Sequence, residues 1–126
     1  MNQILFVGLG GFLGSVLRFV SGTLIGRFYG DSLFPLATLM ANLLGCFLAG
    51  VLMGTIERFP IAPIDMRLFL MTGVLGGFTT FAAFGYESIY LLRRGELLML
   101  ASNVLLSVGA GLFLVWFGLW IVEKLF

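Results

Sequence analysis

The sequence predicts an all-α membrane protein of four transmembrane helices, the third of them broken near its middle. Three observations carry that reading. Of 126 residues, 60% are hydrophobic and only 10% charged, and the mean hydropathy is +1.13, far above an ordinary soluble domain. Charged breaks at Arg27–Asp31, Glu57–Arg67 and Arg93–Glu96 cut the chain into four apolar pieces, each near the roughly 20 residues a hydrocarbon core requires. The third piece carries Gly76-Gly77 and then Thr79-Thr80, where a smooth helix is the default.

The composition also excludes. With no histidine and no acidic cluster, a transition-metal site or histidine-based catalysis has almost no raw material, so the chain is not expected to be an enzyme. The single cysteine, Cys46, removes any intramolecular disulfide framework and reads as helix packing. The length allows one domain, residues 1–126, and no nucleic-acid partner is expected.

The first span falls near residues 4–26. It is too long for a signal peptide and lacks a basic n-region and a small-x-small cleavage site, so a retained span is expected. Gly10, Gly14, Gly22 and Gly26 follow a four-residue period, a spacing that lets backbones approach where lipid removes the hydrophobic drive. Arg18 shares their row. It can snorkel to the nearer interface, pair with Glu87, or act as a vestibule cation that concentrates anions.

The second span, near residues 33–56, repeats the small-residue period with Ala37, Ala41, Gly45 and Ala49. Thr38 and Asn42 lie four apart on one face. A polar pair at membrane depth has a bland explanation, interhelical hydrogen bonding worth about 0.6 kcal/mol on average. Asn42 has a second: a side-chain amide with two free donors is a natural ligand for an anion.

Pro60 and Pro63 punctuate the second connection, and the third span is expected near residues 67–92. Gly76-Gly77 tolerates non-helical backbone, and threonine hydroxyls can re-satisfy the groups it frees. In lipid such a break is permitted only when buried in protein or facing a cavity. Freed carbonyls there suit a small hard cation. Phenylalanine recurs at Phe78, Phe81 and Phe84. Phe81 and Phe84 share one face and present electropositive ring edges, although such spacing more often marks core or lipid-facing rings.

Arg93-Arg94-Gly95-Glu96 makes a tight third connection, and the fourth span follows near residues 97–122. Asn103 and Ser107 again lie four apart. Four spans put both termini on one side, with Arg58, Arg67 and Lys124; Arg27, Arg93 and Arg94 lie opposite. Three against three gives the positive-inside rule nothing to act on. Either a weak bias from the lipid or from the unmodified amino terminus orients the chain, or the same chain inserts both ways and pairs with its inverted copy, as inverted repeats do within one transporter chain.

At these residues the chain resembles the bacterial fluoride channel family known as Fluc or CrcB. The resemblance rests on Gly-Gly-x-Thr-Thr-Phe-x-x-Phe at Gly76 to Phe84, Ala41-Asn42-Leu43-x-Gly45, the stretch from Gly10 to Arg18 ending Gly-x-x-x-Arg, and Arg94-Gly95. It covers essentially the whole chain. It implies a multi-pass protein of the bacterial plasma (inner) membrane, an antiparallel dual-topology homodimer surrounded by lipid. Two fluoride pathways would run through it, draining cytoplasmic fluoride passively. It also implies a sodium ion on the dimer axis, held by main-chain carbonyls that align with Gly76 and Thr79. Asn42, Phe81 and Phe84 take the places of fluoride-path residues, with Thr38 and Ser107 as hydroxyl contributors. Two departures stand out: Ala82, Ala83 and Gly85 replace hydroxyl residues frequent in the family, and Asn103 aligns where some members carry an aromatic. The alternative function, a small multidrug-type proton-coupled cation exporter, needs an embedded carboxylate early in the chain, and the first acidic residue is Asp31, in a loop.

Overall fold

A computed structural model describes residues 2–60 and 62–126. Four helices in it are long and apolar enough to cross a membrane: Asn2–Tyr29, Leu36–Arg58, Ile64–Arg93 and Leu97–Leu125. We refer to them as α1 to α4. The helix ends differ from the expected spans by up to three residues, with α2 starting later than expected and the other differences being extensions, because backbone chemistry, not hydropathy, sets them. Gly30 takes φ +64° after α1, a conformation only glycine adopts without strain. Pro35 and Pro63 stand immediately before α2 and α3, which start at Leu36 and Ile64. Gly95, at φ +76°, ends α3 in a Schellman turn. There the Gly95 N–H donates to the Leu92 carbonyl and the Glu96 N–H to the Leu91 carbonyl, both at 3.0 Å.

Two helix pairs dominate the packing. The first half of α3 lies along α1, and the second half of α4 lies along α2. Both contacts are made glycine to backbone. A Cβ on Gly73 would sit 2.8 Å from Gly10 Cα, one on Gly14 would meet Phe78 N at 2.8 Å, and one on Gly77 would meet Gly11 O at 2.6 Å. On the other pair, a Cβ on Gly118 would fall 2.6 Å from Phe47 O, and Gly50 is closed off by Val115. In lipid, close van der Waals packing of this kind is what holds helices together.

The small-residue rows of the sequence are only partly used for this. Gly10 and Gly14 make the α1–α3 contact, whereas a Cβ on Gly26 would meet nothing within 4 Å. The α2–α4 contact falls on Gly50, Gly54 and Gly118, outside the Ala37–Ala49 row. Few side chains are fully enclosed, and large apolar ones such as Phe12, Phe19, Phe28 and Leu98 face outward, as suits a lipid solvent.

Candidate functional site

The centre of α3 is interrupted. Helical backbone ends at Phe78, Thr79 and Thr80 are extended (φ −86°, ψ 156° and φ −150°, ψ 117°), and helix resumes at Phe81. Local side chains finish both ends. The Thr79 N–H and hydroxyl both donate to the Leu75 carbonyl, each at 2.9 Å. The Thr80 hydroxyl accepts from the Ala83 N–H at 3.2 Å, an N-cap for the half-helix Phe81–Arg93.

Asn42 bridges the interruption from α2. Its Oδ1 accepts from the Thr80 N–H at 2.7 Å, and its Nδ2 donates to the Thr80 carbonyl at 3.0 Å. The side-chain amide thus supplies Thr80 with the two partners that a neighbouring peptide would. One consequence corrects the sequence reading: Asn42 keeps one free donor hydrogen, not two, because the other is spent on Thr80.

These bonds redirect two of the backbone donors at the break, which also takes the regular partners from Gly77 and Phe78. In an unbroken helix Gly76 O would accept from the Thr80 N–H, and Thr79 O from the Ala83 N–H. The first donor goes to Asn42 and the second to the Thr80 hydroxyl. Gly76 and Thr79 therefore carry carbonyls stripped of their regular partners, a donor set suited to a hard cation.

A cavity of about 410 Å³ opens beside the interruption. Its lining includes Asn42, Gly76, Thr79, Phe81, Phe84 and Ser107, six of the eight residues nominated from sequence, drawn from three helices. The Phe81 and Phe84 rings lie 5.4 Å apart, tilted by 45°, and Phe81 is 82% exposed on the single chain. Phe78 is buried instead: the extended pair turns the chain between it and Phe81, so a spacing of three no longer places them on one face. Ser107 sits in a stretch of α4, Leu106–Ala110, wound with wider i→i+5 bonds, a distortion frequent at functional sites. Its hydroxyl is buried with no hydrogen-bond partner among the described residues. The half-helix begins at the lining of this cavity, which places its positive end beside it.

Thr38 and Arg18 lie outside that cavity. The Thr38 hydroxyl donates to Glu87 Oε1 at 2.7 Å, and the two residues border a smaller space of about 170 Å³ near the end of α1. Thus Glu87 is engaged by Thr38, where the sequence had offered Arg18 as its partner. Asn103 is enclosed, and its Nδ2 donates to the Ser88 hydroxyl at 3.1 Å. Sequence reasoning missed Ser88, and it named Thr80 and Gly45 without giving either a place in the site; the missing side chain of Gly45 leaves room for the Thr79 methyl. Ser88 left no sequence signal, whereas Thr80 did, as a threonine just before an apolar helical run.

Four apolar helices with an interrupted third, and a largely apolar cavity at the interruption that carries a few polar groups, define a multi-pass membrane protein of helical type. The chain matches the CrcB-like protein (Camphor Resistance, CrcB) family model over residues 5–119, and it belongs to that family. Relatives named "Fluoride-specific ion channel FluC" align over nearly their whole lengths. The one from Methylobacillus flagellatus is 42% identical over 98% of this chain and 96% of its own. That from Flavobacterium psychrophilum is 41% identical over 99% and 100%, and that from Campylobacter jejuni 40% over 94% and 95%.

Proposed function

We propose that this protein is a fluoride-selective channel that lowers cytoplasmic fluoride by passive efflux across the bacterial inner membrane, working as an antiparallel dual-topology homodimer. The observation that carries the reading is the cavity that gathers Asn42, Phe81, Phe84 and Ser107 at the start of a half-helix, in a chain whose relatives are named fluoride channels. Fluoride is small and tightly hydrated, so its path must replace water with hydrogen-bond donors. The free Asn42 amide hydrogen, the unengaged Ser107 hydroxyl and the ring edges of Phe81 and Phe84 supply them without a fixed charge that would trap the ion. A conducting site must release what it binds. Hydrogen fluoride enters neutral from acid surroundings and dissociates inside, so the negative interior suffices to drive the anion out.

The dimer follows from the same interruption. Irregular backbone at membrane depth must be covered by protein or face a cavity, yet Gly76 is exposed on the single chain. A second copy covers it, and the even split of basic residues favours an inverted one. The carbonyls of Gly76 and Thr79 would hold a sodium ion between the copies. When bound, that ion neutralises the carbonyl dipoles and ties the two interrupted segments together.

The test is a fluoride-electrode efflux assay on reconstituted liposomes with chloride as control. Fluoride release without chloride release is expected, and no fluoride release overturns the proposal. Tag accessibility from both sides of the membrane tests the topology: a single orientation for every copy excludes the antiparallel dimer.

A further inference from the structure

The half-helix Phe81–Arg93 poses a mechanical problem. It follows an extended pair, so helical hydrogen bonding does not pass on to it the rotation of the preceding segment. Yet Phe81 and Phe84 face the cavity only if the half-helix is turned correctly about its own axis. Something beyond the backbone must set that angle.

Two side-chain hydrogen bonds are placed to do so. Glu87 accepts from Thr38 of α2 at 2.7 Å, and Ser88 accepts from Asn103 of α4 at 3.1 Å. At roughly 100° per residue, Glu87 and Ser88 flank Phe84 by about 60° on one side and about 40° on the other. One bond pulls toward α2 and the other toward α4, so a rotation that relaxes one stretches the other. Leu91, 1% exposed, lies on the same face, but apolar contact has no direction and fixes depth better than angle.

We propose that Ser88 and Asn103 are a positioning pair for the ion path: their bond, opposed by Thr38–Glu87, fixes the rotation of the half-helix and with it the aim of Phe81 and Phe84. The proposal rests on the fluoride-channel reading. Asn103 is 2% and Ser88 7% exposed, so neither competes with water for the bond. Four residues before Ser88 stands Phe84 itself, which ties the pair's position to the ring one turn away.

Three variants separate positioning from mere packing in the reconstituted full-length protein. Ser88→Ala with Asn103→Leu removes both polar partners at once, a change the fold tolerates because no buried group is left unsatisfied. Fluoride efflux per assembled protein is expected to fall about tenfold or more, as misplacement of a reacting surface by an ångström commonly does, with size-exclusion profile and melting temperature close to wild type. Asn103→Leu alone is expected to do the same, since Ser88 can turn its hydroxyl to a carbonyl one turn back. The exchanged pair, Ser88→Asn with Asn103→Ser, rebuilds the bond in reverse and is expected to recover most of the efflux. Wild-type efflux in the apolar double variant overturns the proposal. Absence of efflux in the wild-type protein overturns the channel reading itself, and this inference with it.

Discussion

Asn42 and Thr80, 38 residues apart, exchange two hydrogen bonds: the Thr80 N–H donates to Asn42 Oδ1 at 2.7 Å, and Asn42 Nδ2 donates to the Thr80 carbonyl at 3.0 Å. A primary side-chain amide carries its C=O and one N–H on the same side, so Asn42 meets both backbone groups of Thr80 as a residue of a neighbouring extended strand would. It pays the cost of the interrupted α3 from an adjacent helix, which is why the chain can leave helical geometry there.

Asn42→Asp keeps the acceptor for the Thr80 N–H but sets a second oxygen against the Thr80 carbonyl. Fluoride efflux from proteoliposomes is expected to fall strongly, with the assembled protein still recovered on size exclusion. Phe81→Ile, which removes the ring edge and leaves the outward-facing position apolar, is expected to do the same. Efflux at the wild-type rate in both variants would remove these residues from the path.

Ser107→Ala separates conduction from stability. The Ser107 hydroxyl has no partner among the described residues, and an unsatisfied buried polar group costs about 1–3 kcal/mol. The variant is expected to melt at or above the wild-type temperature while conducting fluoride more slowly. A clear loss of stability would show that the hydroxyl serves the fold.

Glycine substitutions distinguish contact from free surface. A Cβ on Gly14 would stand 2.8 Å from Phe78 N, and one on Gly118 2.6 Å from Phe47 O, whereas Gly8 has nothing within 4 Å. Gly14→Ala and Gly118→Ala are expected to destabilise by about 1–3 kcal/mol through overpacking. Gly8→Ala is expected to be near neutral. Chemical or thermal unfolding in one detergent compares the three directly.

Gly76→Ala tests for a second chain. Within one copy its Cβ would meet only Met71 O, at an ordinary 3.8 Å, so the isolated chain accommodates it. Loss of the dimer band on crosslinking, with folded monomer retained, is the expected result. An unaltered dimer would place the interface elsewhere.

Thr80→Val removes the N-cap of the half-helix and Thr80→Ser retains it. A loss of about 1 kcal/mol is expected for valine and little for serine. Equal stability in the two would mean that the Asn42 bonds alone hold the junction.

How much of this was legible beforehand depended on range along the chain. Four spans, their lipid-facing character and the weakened backbone at Gly76–Thr80 follow from local composition, because hydropathy and glycine content act residue by residue. Periodicity also placed Phe81 with Phe84. The spacing of three does not extend to Phe78, since it holds only while the helix is continuous. Periodicity found part of the packing, since Gly10, Gly14, Ala41 and Gly45 are buried, but the α2–α4 contact fell on Gly50, Gly54 and Gly118: a row of small residues shows where a helix can be approached, not which neighbour approaches it.

The sequence by itself determined that this is a four-helix membrane chain of the CrcB family with one weak point in its third helix. Only the tertiary structure decided how that point is held: Asn42 turned onto Thr80, Thr38 onto Glu87 and Asn103 onto Ser88. Each of these bonds joins residues on different helices. A hydrogen bond depends on distance and angle in space, and single-sequence patterns record neither.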